Sequence, residues 1–384
     1  MSDTIPIKPE LIRWARERSG RSMAYMVALS PNYEKWESGD AQPTMKQLEK
    51  LATKTYTPLG YFFLPEPPVE SLPIPDFRTT TDQRVARPSP HLLDTIQSIQ
   101  MRQDWMHGFL IEQGEAPLDF VSSRTVSDSP FAVAQEIRDR LGLAVHWSRH
   151  EKTWEDALRS LVQRIEAIGI MVMISGVVEN NTSRPLSVEE FRGFVLCDKY
   201  APIIFINGAD AKAAQMFTIV HELAHLWIGK EGLTGFQKML PSENTVEKFC
   251  NKVAAEFLVP ENEMKNVWKG QPATVSNFKR IAGYFKVSPI VVARRVLDLG
   301  LITTAAYIAF YKSYQDHLKE LKAKRKKNGG DFYATSGSRL GKRFPAAVFS
   351  AAKEGRLPYR DAYQLTGLSG SSYDKFGKEF GYAL

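Results

Sequence analysis

The pentapeptide His221-Glu222-Leu223-Ala224-His225 carries the residue types and spacing best suited to chemistry. On a helix, positions i and i+4 share a face, so both imidazoles can reach one ion while Glu222 projects beside them toward an open position. Two neutral imidazole nitrogens, one carboxylate and a water suit tetrahedral zinc. Zinc there would acidify the water and polarise a carbonyl oxygen, and Glu222 would take the water's proton and deliver it to a leaving amine. The net reaction is hydrolysis of an amide. His-Glu-x-x-His arises by chance in on the order of one chain in a hundred of this length. The reading it must beat is therefore a pair of helix histidines satisfied by ordinary hydrogen bonds.

The surrounding pattern favours the metal. Helical spacing over 211–228 places Met216 to Val220 as a buried lead-in to the motif. A second amphipathic helix over 246–258 sets Val253, Ala254, Phe257 and Leu258 on its apolar side. It carries Glu247, 22 residues after His225, which leaves chain enough for a loop and a return helix. Among the other carboxylates, Glu231 lies too close on the loop, Glu243 precedes the helix and Glu256 turns away from Glu247. Glu247 is thus the expected third ligand, against a solvated carboxylate favoured by the helix N-terminus. Cys250 on the same helix reads as a small buried residue rather than a ligand. The apolar run Ile203, Ile204, Phe205, Ile206 with Asn207 reads as a strand. It either closes a sheet or offers an edge to which a substrate adds as an extended strand.

Further from the motif, short helical patterns separated by turns fill the first 60 or so residues, and the prolines at 65, 67, 68, 73 and 75 mark a semi-rigid linker. Helical spacing returns over 91–113, 130–141 and 153–168, followed by β-like runs at 170–174, 191–196 and 203–206. Helices resume at 275–285 and 289–297, a helix-turn-helix-like pair that reads as structural, and at 304–327. These features predict a mostly helical α+β protein with five segments: 1–68, a connector at 69–150, a core at 151–302, a long basic helix at 303–330 and a small helical domain at 331–384.

Of the 384 residues, 43% are hydrophobic and 24% charged, which excludes disorder as the main state. Two cysteines, Cys197 and Cys250, cannot make a disulfide framework, and no charged-then-apolar leader opens the chain, so a reducing, cytoplasmic location is expected. With no apolar run near ~18 residues, no membrane role is expected. The net charge of +7 is unevenly placed: seven basic residues face two acidic ones over 312–327, and 1–311 sum to −1. Lys322, Lys324, Arg325, Lys326 and Lys327 form either a solvated helix end or a surface for DNA or an acidic protein.

The segment FINGADAKAAQMFTIVHELAHLWIG followed by EKFCNKVAAEFLVP resembles the ImmA/IrrE family of zinc metallopeptidases, which implies a zincin-like core. The first 68 residues resemble the Xre-type helix-turn-helix often fused ahead of it, and IPDFRT and GKRFPAAVFSAAKEGRLPYRDAY are similar to segments of long members. The resemblance implies Zn2+ held by His221, His225 and Glu247, Glu222 as general base, and Asn251 supporting a ligand from the next turn. It also implies a regulatory endopeptidase that cleaves a repressor in a stress-response, mobile-element or toxin–antitoxin locus. The alternative it carries is an antitoxin or repressor that neutralises a cognate toxin with little peptidase activity. Either role implies a protein partner, with operator DNA and a homodimer as further expectations.

The N-terminal segment departs from its family. From Gly20 to Trp36 the chain is about three residues shorter than such a motif usually requires, and 1–68 hold nine basic against eight acidic side chains. Phosphate neutralisation drives DNA affinity. The segment therefore reads equally as a DNA reader and as a dimerisation or partner-docking domain.

Overall fold

Residues 4–75, 87–234, 244–324 and 332–382 are described by the computed structural model. The chain divides into two units, Met1–Pro73 with Thr80–Gln97 and Ile74–Thr79 with Ser98–Leu384. The connector expected at 69–150 is divided between the two units. No helix among the described residues is long and apolar enough to cross a membrane.

In the first unit, the helices Pro9–Arg18, Met23–Leu29, Tyr33–Ser38 and Met45–Thr55 enclose a small core that includes Leu11, Trp14, Met26, Tyr33, Trp36 and Leu48. Their starts follow capping chemistry. The Ser22 hydroxyl accepts from the Tyr25 amide, and Thr44 with Gln47 closes a reciprocal capping box. The last of these helices therefore begins at Met45.

The second unit is built on strands β1 (Met171–Ser175), β2 (Val177–Val178), β3 (Asn181–Pro185), β4 (Gly193–Leu196), β5 (Ile203–Asn207) and β6 (Gly232–Thr234). β2 and β3 form a separate hairpin, and the main sheet has the order β1-β5-β4-β6. β5 runs parallel to β1 and antiparallel to β4, and β6 returns antiparallel on β4. Side chains alternate across the sheet. Val172, Val195, Ile204 and Ile206 face the core shared with the motif helix, and Phe194 stacks on Phe205 5.0 Å away on the other face.

Of the two readings of Ile203, Ile204, Phe205, Ile206 and Asn207, the pairing matches a strand inside the sheet and not a substrate edge. β5 is hydrogen-bonded on both sides and all five residues are buried. An apolar run with no polar alternation is the signature of a strand covered on both faces, and its parallel partner β1 comes from well upstream in the chain.

The helices Val275–Phe285 and Pro289–Asp298 bury Phe278, Ile281, Val292 and Val296 in the same core as the motif helix. The C-terminal helices Phe332–Leu340, Arg343–Lys353, Tyr359–Thr366 and Ser371–Glu379 group with this unit. The Lys342 amide donates to Glu166 at 2.8 Å and the Arg102 side chain donates to the Leu365 carbonyl at 3.0 Å.

Candidate metal centre

The motif lies on the helix Lys212–Ile228, buried continuously from Gln215 to Ile228. The helix ends where Gly229 adopts φ 61°, a left-handed turn open to glycine, with its amide directed to the His225 and Leu226 carbonyls. That turn brings the Lys230 carbonyl 2.9 Å from His225 Nδ1. A proton held there would turn the Nε2 lone pair toward the centre.

Glu247 comes from the neighbouring helix Thr245–Leu258, in its first turn, where the Asn244 side chain accepts from the Val246 and Glu247 amides. Glu247 Oε1 lies 3.0 Å from His225 Nε2, Oε2 lies 3.3 Å from His221 Nε2, and the two imidazole nitrogens are 3.1 Å apart. This is a buried triad of His221, His225 and Glu247 that could hold a metal ion. Donors at the ~2.0–2.1 Å bond lengths of tetrahedral zinc stand roughly 3.3 Å from one another, so both the spacing and the two-imidazole, one-carboxylate donor set fit zinc. Asn251, one turn beyond Glu247, bears on His221 as a hydrogen-bonding side chain.

The competing carboxylates are engaged elsewhere. Glu256 pairs with Arg295, and Glu231 accepts from the Cys197 amide at 2.8 Å. Glu243 lies outside the described residues. Cys250 is fully buried and burial pushes its thiol well above the usual range, consistent with a packing role.

Electrostatics separate the two glutamates. Burial alone would raise Glu247, but the facing His221 and His225 hold its carboxyl down at about 2. For Glu222, burial and then the Glu247 charge push the carboxyl up to about 8, with His221 and Thr234 drawing it back. Among the described residues, no partner meets either Glu222 oxygen in full hydrogen-bond geometry. Burial lowers His225 and the His221 charge adds to this, whereas at His221 the Glu247 charge overcomes burial and raises the imidazole.

Two residues that place Glu222 had no part in the expected site. Gly193 on β4 leaves the room that Glu222 occupies, and a Cβ built there would stand 3.3 Å from Glu222 Oε1. Thr234 on β6 is its register partner. An isolated glycine within a strand pattern signals close approach of another group, and Gly193 in FRGFVL is such a case.

Residues 165–297 match the family model of the IrrE N-terminal-like domain, Peptidase_M78. The match supports kinship with the ImmA/IrrE family over the stretch that contains His221, His225, Glu247 and Glu222. Residues 340–379 match a domain of unknown function (DUF8813), over much of the C-terminal block. A comparison with curated proteins gives no match.

Little of the basic run falls within the described residues. Lys322 and Lys324 sit at the end of the helix Thr304–Lys324 with side chains outside the described residues, as are Arg325, Lys326 and Lys327 altogether.

Proposed function

We propose that the IrrE-like stretch is a zinc-dependent regulatory endopeptidase acting on a protein partner. The observation that carries this reading is the ligand triangle of 3.0, 3.1 and 3.3 Å with the buried Glu222 next to His221. His221, His225 and Glu247 hold the ion, and Asn251 orients His221. Bound there, zinc supplies Lewis-acid polarisation of the scissile carbonyl and of water. Glu222 Oε1 or Oε2 accepts the proton of the attacking water and passes it to the departing amine nitrogen. A carboxylate held beside the ion suits that two-way transfer.

The N-terminal unit is assigned to partner docking rather than to DNA reading. Its third helix has six residues, of which Tyr33 and Trp36 are buried and Glu37 pairs with Arg13 and Arg16. Lys35 is the one basic residue that this helix offers to phosphates. A repressor, or the toxin of a toxin–antitoxin pair, is the partner class this arrangement serves.

The test is zinc content of the purified full chain with cleavage of its partner. Wild type should carry stoichiometric zinc and His221→Ala none. Glu222→Gln should keep the zinc and the partner but lose cleavage by roughly 10²–10⁴-fold. A wild-type protein without stoichiometric zinc sinks the peptidase reading, and full biological activity in Glu222→Gln would favour sequestration of the partner instead.

A further inference from the structure

The two outer strands of the sheet are both covered, but by segments with different relations to Glu222. At β1, Gly341 sits against the backbone, so closely that a Cβ there would stand 2.7 Å from the Val172 carbonyl oxygen. At β6, the Leu233 amide donates to the Pro75 carbonyl at 2.9 Å. In an antiparallel pair, the polar groups of successive residues point to opposite sides. The Thr234 carbonyl accepts from the Arg192 amide across the β4 side, so the Leu233 amide faces outward and Pro75 takes it from the open side. Ile74, beside it, is 3% exposed. The division into units agrees: Ile74–Thr79 belongs with the unit that contains β6, although the residues on either side of it belong with the other.

β6 is also the strand next to the chemistry. Its Thr234 is paired with Gly193, against which Glu222 lies. An exposed strand edge in that position binds extended backbone by main-chain hydrogen bonds. We propose that the outer edge of β6 is where an extended segment of the protein substrate docks, and that Ile74–Pro75 fill it, so that substrate must displace the chain's own segment. This rests on the peptidase reading for the identity of the incoming chain, but the occupancy of the edge does not. Proline is suited to the occupant. Its carbonyl accepts the Leu233 amide, while its nitrogen has no proton to donate.

The test is run on full-length chain carrying Glu222→Gln, so that binding is read without cleavage. The probe is a fluorescein-labelled synthetic peptide of residues 70–79, followed by fluorescence anisotropy. Ile74→Asp removes the buried anchor, and the freed edge should bind this peptide about tenfold more tightly than the parent, as for an edge otherwise uncovered about a tenth of the time. Ile74→Ala, a milder change that guards against misfolding, should fall between. Unlabelled β-casein, a soluble extended polypeptide, should displace the peptide. Equal peptide binding by all three folded proteins overturns the proposal. Peptide binding that casein does not displace also overturns it, because the segment would then be a brace and not a competitor. Absence of zinc or of cleavage in wild type would remove the peptidase reading while leaving these binding results readable.

Discussion

Glu222 packs against the bare Cα of Gly193: its carboxylate oxygen lies 3.3 Å from where a Cβ on residue 193 would be. The same Cβ would meet Thr218 Cγ2 at 2.7 Å and the Phe205 carbonyl oxygen at 2.9 Å. Gly193→Ala should therefore cost about 1–3 kcal/mol, the usual penalty of overpacking, read as a lower urea midpoint. Adding Thr218→Ser removes the nearest methyl but not the Phe205 carbonyl. The double variant should recover part of the loss, and full recovery would show that the close approach to the backbone does not matter.

Glu247 should be the carboxylate on which zinc depends. Glu247→Ala removes one of the three proposed ligands and should abolish stoichiometric zinc after dialysis, measured by atomic emission. Glu231→Gln and Glu256→Gln should keep it, since Glu231 meets the Cys197 amide and Glu256 meets Arg295. Retention of zinc by Glu247→Ala would place the third ligand elsewhere.

Part of this site follows from local spacing and part does not. His221 and His225 share a helix face by period alone, and Glu247 follows from the amphipathic pattern of the next helix. β6 could not be anticipated in that way. It is three residues long and begins just after the Gly229 turn, so it reads as loop. The β2–β3 hairpin has a polar second strand with no alternation to mark it. The parallel pairing that makes β5 interior links distant parts of the chain, and only the unbroken apolar pattern of 203–206 hinted at two covered faces.

The metal-free protein should lose stability with rising pH through Glu222. Its carboxyl has an ordinary value of 4.5 and is pushed up to about 8 in the fold, first by burial. Between those values the folded chain keeps a proton that the unfolded chain has released, so folding weakens as pH rises across the window. His221, raised, adds to the same trend, and His225, lowered, opposes it. The difference between wild type and Glu222→Gln isolates the glutamate. Urea unfolding of both metal-free proteins at intervals from about pH 4.5 to 8 should show the variant gaining on wild type as pH rises. Parallel curves would mean that folding does not raise the Glu222 carboxyl.

The far end of the Glu247 helix is held by buried charge. Arg295 pairs with Glu256 and donates to the Val259 carbonyl at 3.0 Å, and Arg138 donates to the Glu256 carbonyl at 3.0 Å. Arg295→Ala would leave Glu256 buried without its partner, at a cost of about 3–5 kcal/mol. Replacing both with methionine should cost far less, because no charge is left stranded. Chemical denaturation of the two variants separates these cases, and equal losses would show that packing, not the charge, is what Arg295 supplies.

The excess positive charge gives the last expectation. Residues 1–311 sum to −1 while the run ending at Lys327 is strongly basic, so any affinity of the full chain for duplex DNA should come from that run. Changing Lys322, Lys324, Arg325, Lys326 and Lys327 together to Gln should flatten the dependence of log K on log salt by about 0.9 for each phosphate no longer neutralised. Changing exposed Arg13 and Lys35 of the N-terminal unit to Gln should leave that slope unaltered, because the third helix spends Tyr33, Trp36 and Glu37 on its own core and ion pairs. Anisotropy of a labelled random-sequence duplex at several salt concentrations measures both slopes. If the Arg13 and Lys35 changes flatten the slope and the C-terminal changes do not, the N-terminal unit reads DNA after all and its docking assignment falls.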